Sequence, residues 1–240
     1  MEGYTTESEQ LQALKKWWDQ NAKWVIGALF IAAIVVGGWK FWGYWQGKRA
    51  AEAAGLYAAV VQAEGQGDDA AIDAAAKRVL RAYPDTAYGA LAGLALAKSQ
   101  FAQQHLSDAI DSLQGVVKHS PDAGLAIIAR IRIARIQLQR DNAKEALDIL
   151  KGYGKGAFAA TVQSVRGDAF MQLGQTEAAR NAFEQGLKAT DTGSGLHELL
   201  ALRLASLPEK VTRAASPAPT ATVSKPSASA SAPNKAGGRS

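Results

Sequence analysis

Between Lys23 and Lys40 lie 16 consecutive uncharged residues, Trp24 to Trp39, and all 6 tryptophans of the chain (Trp17, Trp18, Trp24, Trp39, Trp42, Trp45) gather at the two ends of that run. A helix rises about 1.5 Å per residue, so the run alone reaches about 24 Å, short of the ~30 Å hydrocarbon core of a bilayer. The flanking lysines can run their apolar stems through the acyl region while the ammonium stays among the headgroups, which lengthens the usable span. Indole rings favour the headgroup level, where the body is apolar and one edge is wet, so a tryptophan belt at each end fits a spanning helix. A buried core helix has no reason to collect every tryptophan at its ends. The expectation is one transmembrane helix over residues 24–45, in contact with the lipid bilayer, behind a short leader at 1–23.

A cleaved signal peptide would carry a short positive leader and a small-residue site directly after its apolar run. This leader is long and holds Glu2, Glu7, Glu9 and Asp19, and bulky aromatics follow the run; Ala50 and Ala51 come only after Lys48 and Arg49. The segment therefore reads as retained. Charge does not orient it: Lys15, Lys16 and Lys23 before the span balance Lys40, Lys48 and Arg49 after it. The absence of cysteine suits an oxidising and a reducing compartment equally.

Composition shifts again near Leu207. Residues 208–240 are Ala, Ser, Pro, Thr and Lys without an aromatic, and hold 5 of the 7 prolines. Such a segment cannot bury enough apolar area to offset its ordering entropy, which predicts a disordered tail. Lys210, Arg213, Lys225, Lys235 and Arg239 against Glu209 give it +4 of the chain's formal +5. The basic balance thus describes mostly the tail and says little about a basic face on the folded part. A basic tail can touch anionic lipid or nucleic acid, but a solvated end needs no such partner, and no nucleic-acid partner is expected.

Residues 49–207 are Ala-rich and repeat at steps of 34, 37 and 33 residues: Ala75, Ala109, Ala146 and Ala179 are each followed four positions later by Val79, Leu113, Leu150 and Phe183. Twelve positions before each alanine stands another small residue, Ala63, Ala97, Ala134 and Gly167, and Phe101, Leu138 and Met171 follow three of these. Two helices of a hairpin approach closely only where small side chains meet, with larger residues one turn away filling the groove. This layout resembles tetratricopeptide repeats, and Pro121 stands twelve after Ala109, where that pattern favours proline; Phe158 takes the corresponding place after Ala146. The fold class predicted is all-α: a single N-terminal transmembrane helix followed by a tetratricopeptide-like helical-hairpin solenoid. Arg130–Arg140 alternates as a strand would, but its apolar parity switches midway, whereas Ile127, Ile131, Ala134 and Leu138 form one helical stripe.

Chemistry is sparse. His105, His119 and His197 have no metal-ligand spacing. The segment Lys151–Gly156 follows a helix and lacks the Lys-Ser/Thr of a phosphate loop, and Arg166-Gly167-Asp168 falls on the small residue of the fourth repeat, inside a helix. The arginines at 130, 132, 135 and 140 point around a helix in different directions. No catalytic, cofactor-binding or metal-binding residues are expected, nor a small-molecule substrate. Lys98 and Arg135 are the candidate partner-binding residues. They directly follow Ala97 and Ala134, and Glu64 and Asp168 hold the same place in the outer units, giving a row that is positive at its centre. Such a row can receive an acidic segment or a chain terminus; four charges on a solvated face would need no partner.

The order of motifs is more specific than the repeat. Glu9-Gln10 and Lys15-Lys16-Trp17-Trp18 lead into a span ending Gly-Trp39-Lys-Phe-Trp42; then come Ala87-Tyr88-Gly89-Ala90-Leu91-Ala92, Arg132-Ile-Ala-Arg135, Lys151-Gly-x-Gly and Arg166-Gly-Asp-Ala169. Together these resemble the YfgM family, the ancillary subunits of the bacterial Sec translocon, over residues 1–207, with the 208–240 tail in addition. The resemblance implies a single-pass inner-membrane protein with a cytoplasmic N-terminus and a periplasmic repeat domain. Its implied partners are Sec translocon subunits and a membrane-anchored prolyl-isomerase-like chaperone. It implies a non-catalytic scaffold passing emerging chains towards periplasmic folding factors. A scaffold of another envelope complex, in cell division or outer-membrane assembly, and an accessory tether for an enzyme remain open.

Overall fold

The computed structural model describes residues 7–208, and among them every regular element is an α-helix. The first, α1, runs Glu7–Gln66 as one 60-residue helix, about 90 Å long at the usual rise. No proline interrupts it, and it stops where Gly67 turns the chain with a φ of +67° and Asp68 caps the next helix. The leader, span and first repeat helix therefore share one rod, with no loop at residues 23, 45 or 49. Residues 1–6 and 209–240, the latter nearly all of the expected tail, lie outside the described residues.

Eight shorter helices follow: α2 Asp69–Ala82, α3 Ala87–Ala102, α4 Leu106–His119, α5 Ala123–Gln139, α6 Ala143–Ile149, α7 Ala159–Gln172, α8 Thr176–Lys188 and α9 Gly195–Ala205. Their starts are set by short polar side chains that satisfy free backbone N–H groups. Asp68 accepts from Ala71 N at 2.9 Å, Thr86 from Gly89 N at 3.0 Å, Asp122 from Leu125 N at 3.0 Å and Ser194 from His197 N at 3.2 Å.

The end of α1 pairs with α2, α3 with α4, α5 with α6 and α7 with α8, as antiparallel hairpins. The first helices also touch one another in sequence, α1 to α3, α3 to α5, α5 to α7 and α7 to α9, whereas among the described residues the second helices touch only first helices. First helices thus form the tighter inner layer of a solenoid and second helices the splayed outer one.

The predicted phasing holds at the hairpin contacts. Ala63, Ala97, Ala134, Ala109, Ala146 and Ala179 are buried, and Val79, Leu113, Leu150 and Phe183 are all at most 1% exposed. Ala75 is only half-buried, and its neighbour Ala76 takes the sealed place in the first hairpin. Two expectations need correction. Phe101 and Met171 were expected to fill grooves but are 39% and 42% exposed, because each is the penultimate residue of its helix and extends past the covering partner. The Arg130–Arg140 stretch is helical as far as Gln139, as its stripe requires, with Arg140 capping the helix, and Arg166-Gly167-Asp168 lies within α7.

α9 is an additional first helix, the opening of a fifth unit. A 35-residue step from Gly167 arrives at Leu202, which is 70% exposed. No second helix packs there among the described residues, so the position has no need of a small side chain.

Candidate functional site

The inner layer brings the predicted row of charges together and lengthens it by one. Glu64 on α1, Lys98 on α3, Arg135 on α5 and Asp168 on α7 are joined by Arg203 on α9. Lys98 Nζ lies 3.2 Å from Glu64 Oε1 across a step of 34 residues. Arg203 Nη1 donates to Asp168 Oδ1 across the corresponding step of 35. Arg135 stands exposed between the two pairs, with no ion pair or hydrogen bond among the described residues. The net positive charge of the row therefore resides on Arg135.

Lys98 is engaged but not committed. Its side chain is 71% exposed, and a surface ion pair of this kind contributes about 0–1 kcal/mol, so an incoming carboxylate can take the ammonium from Glu64 at little cost. Each pair overhangs a shallow cleft. Glu64 and Lys98 line one of about 160 Å³ together with Ile72 and Ala95. Asp168 and Arg203 line one of about 300 Å³ together with Met171 and Phe183. Met171, misplaced by the groove-filling expectation, thus supplies apolar surface beside a charged pair. Further along α1, Tyr57 meets Tyr88 of α3 with ring centroids 5.8 Å apart. Burial raises the Tyr57 phenol above its ordinary range and the Glu64 carboxylate adds to the shift, so the ring is neutral at any physiological pH.

The remaining arginines of α5 serve the fold. Arg130 lies over the Tyr153 ring at 4.7 Å, and Arg132 Nη1 donates to the Leu94 carbonyl at 3.2 Å, tying α5 to α3. The Lys151–Gly156 segment turns the chain from α6 to α7, with Gly152 and Gly156 at positive φ. His105 precedes α4, His119 ends it and His197 sits in α9; among the described residues no group of His, Asp and Glu is placed to hold a metal ion. Sequence reasoning missed Arg203. The signal was present in the 35-residue spacing from Asp168, but the missing small residue at 202 hid the fifth unit.

On α1, none of the most apolar window is covered by protein. Trp24, Phe30, Ile34 and Trp39 are 76%, 69%, 70% and 80% exposed. A soluble core helix of the same composition would be buried. From Trp24 to Trp45 the helix covers about 32 Å, close to the ~30 Å hydrocarbon core of a bilayer.

A family model for tetratricopeptide repeat-like domains matches residues 15–209, which takes in the apolar stretch as well as the hairpins. A protein of Escherichia coli (strain K12) named "Ancillary SecYEG translocon subunit" is 32% identical over 208 residues, covering 86% of this chain and 99% of that protein. A protein of Haemophilus influenzae with the same name is 31% identical over 199 residues, covering 82% of this chain and 96% of its own length.

Proposed function

Because the chain belongs to the tetratricopeptide repeat-like family of ancillary SecYEG translocon subunits, we propose that it is a membrane-anchored, non-catalytic scaffold at the Sec translocon. In this reading it links translocation to folding factors, among them a membrane-anchored prolyl-isomerase-like chaperone. The observation that carries it is the continuity of α1: one helix offers bare apolar side chains sized for a bilayer and then becomes the first helix of the repeat. Residues 1–23 serve as leader, 24–45 as the span, 49–207 as the repeat domain and 208–240 as an appended tail. The inner row receives the partner. Exposed charges add more to encounter and selectivity than to affinity, so Lys98 and Arg135 act as selectors for an acidic segment or chain terminus.

Recovery of translocon subunits with the full-length protein from mild detergent tests the reading. Arg135→Glu should lower that recovery several-fold at low salt, while helicity and melting stay unchanged because the side chain is exposed and has no ion pair among the described residues. Recovery of only cell-division or outer-membrane-assembly proteins would move the scaffold to another complex, and full recovery with Arg135→Glu would take the contact off the inner row.

In this reading the repeats face the periplasm, and the tied lysine count does not oppose it, since a large domain can cross regardless of its lysines. With the repeats in the periplasm, protease added to spheroplasts should digest the C-terminal domain. Survival of the domain until the membrane is lysed would reverse the assignment.

A further inference from the structure

The polar cluster where α1 leaves its apolar stretch is not used by the inner row. Arg49 Nη2 donates to Asp85 Oδ1 at 2.5 Å, which clamps the loop between α2 and α3 onto α1. The Arg49 guanidinium also lies over the Trp45 ring, 4.8 Å from its centroid, and 5.8 Å from that of Tyr83. The Tyr83 hydroxyl donates to Glu52 Oε2 at 2.8 Å, a second tie between the same loop and α1. Trp42 and Trp45 stand 5.9 Å apart and remain 61% and 43% exposed. Trp42, Trp45, Gln46, Arg49, Asp85 and Thr86 enclose a cleft of about 200 Å³.

The depth of this cleft follows from the helix. Arg49 is one turn beyond Trp45, about 6 Å further along the axis. Ala53, the first fully buried residue of the repeat, is only one turn further still. If Trp42 and Trp45 lie at the end of the hydrocarbon, Arg49 and Asp85 lie in the headgroup layer, and the loop cannot rise away without breaking both ties. The cleft has an apolar wall of two indoles on its bilayer side and a cation beside an anion on its wet side. Arg49 spends one N–H on Asp85, and the guanidinium fork has others for a phosphate oxygen. Asp85 has its side chain 55% exposed, so its carboxylate is open to an ammonium.

We propose that this cleft binds the headgroup of one phospholipid that carries both a phosphate and a primary amine, as phosphatidylethanolamine does. The phosphate sits on Arg49, the amine on Asp85, and an acyl chain lies along Trp42 and Trp45. A headgroup with phosphate alone would leave two anions, its phosphate and Asp85, sharing the Arg49 cation, which sets the selectivity. The bound lipid fixes the height and tilt at which the solenoid stands on the membrane. The inference rests on the reading of α1 as a spanning helix.

The test is native mass spectrometry of the full-length chain in mild detergent, mixed with phosphatidylethanolamine, phosphatidylglycerol or diacylglycerol. One phosphatidylethanolamine should stay bound. Arg49→Gln should cut its occupancy about tenfold, the loss expected for one hydrogen bond between charged groups. Asp85→Asn, which keeps the shape of the loop, should abolish the preference over phosphatidylglycerol. Undiminished occupancy in Arg49→Gln, equal retention of diacylglycerol, or equal competition by free glycerophosphoethanolamine would each overturn the site. Alkaline extraction of membranes separates the two levels. Wild type remaining in the pellet with no headgroup selectivity sinks this site alone, and wild type released into the supernatant sinks the anchor and the site together.

Discussion

Gly167→Ala should lower the melting temperature of the repeat domain, while the same substitution at Gly115 should raise it. Both glycines lie inside helices, α7 and α4, where alanine has a lower intrinsic cost than glycine by about 1 kcal/mol. At Gly115 a new Cβ would meet nothing within 4 Å, so that gain is kept. At Gly167 it would lie 2.2, 2.5 and 2.6 Å from three ring atoms of Phe183. Phe183 is 1% exposed and packs with Ala179, Leu200 and Leu207, so its ring can make room only by shifting within that packing. Overpacking a tight contact costs about 1–3 kcal/mol, which exceeds the propensity gain, and Ala134→Leu should do the same between α5 and α6. For a domain of this size about 1 kcal/mol corresponds to a shift of roughly 2–4 °C, so the opposite signs are resolvable in thermal unfolding. Phe183→Leu should partly rescue Gly167→Ala by returning the volume. Parallel stabilisation by both glycine substitutions would mean that α7 and α8 do not meet at Gly167.

That contact also shows why so much of the fold was legible beforehand. A hairpin solenoid repeats one packing problem, so each small residue recurs at a nearly fixed step and the sequence displays the same solution four times. The large second-helix residues Val79, Leu113, Leu150 and Phe183 were found for this reason, and all are sealed. Periodicity carries no information about where cover ends. Phe101 and Met171 satisfy the spacing yet emerge at helix termini, and Leu202 breaks the spacing because, among the described residues, no second helix packs on α9. The continuity of α1 was hidden for a related reason: composition changes sharply near residue 45, and a change of composition reads as a boundary even where the backbone continues as helix. Of the candidate site, the positions of Lys98 and Arg135 were readable from the repeat. Their inequality was not, since whether a lysine meets a glutamate on the neighbouring helix depends on helix spacing and rotation. Lys98 finds Glu64, Arg203 finds Asp168, and Arg135 is left, among the described residues, as the free cation of the row.

Replacing Ile31 and Ile34 together by arginine should release the protein from the membrane without unfolding the repeats. The two residues lie near the middle of the 24–45 stretch and are 65% and 70% exposed, so neither supports the solenoid. In water, two arginines on an exposed helix face would be tolerated and would improve solubility. At the centre of a bilayer each costs about 2.5–3.5 kcal/mol on the insertion scale, and each isoleucine removed forfeits a further few tenths. With only 16 uncharged residues between Lys23 and Lys40, the span has little surplus apolar length to absorb that loss. Trp24→Ala or Trp39→Ala, at the ends of the run, removes an interfacial anchor but adds no buried charge, so those variants should stay in the membrane. Fractionation after alkaline extraction reads the outcome, and circular dichroism of the released protein reports on the repeats. Retention of the double-arginine variant at the wild-type level would show that α1 is held by something other than hydrocarbon. An exposed apolar helix of this length would then need a protein groove to cover it, and the tryptophans at its two ends would be contacts with that partner instead of with headgroups.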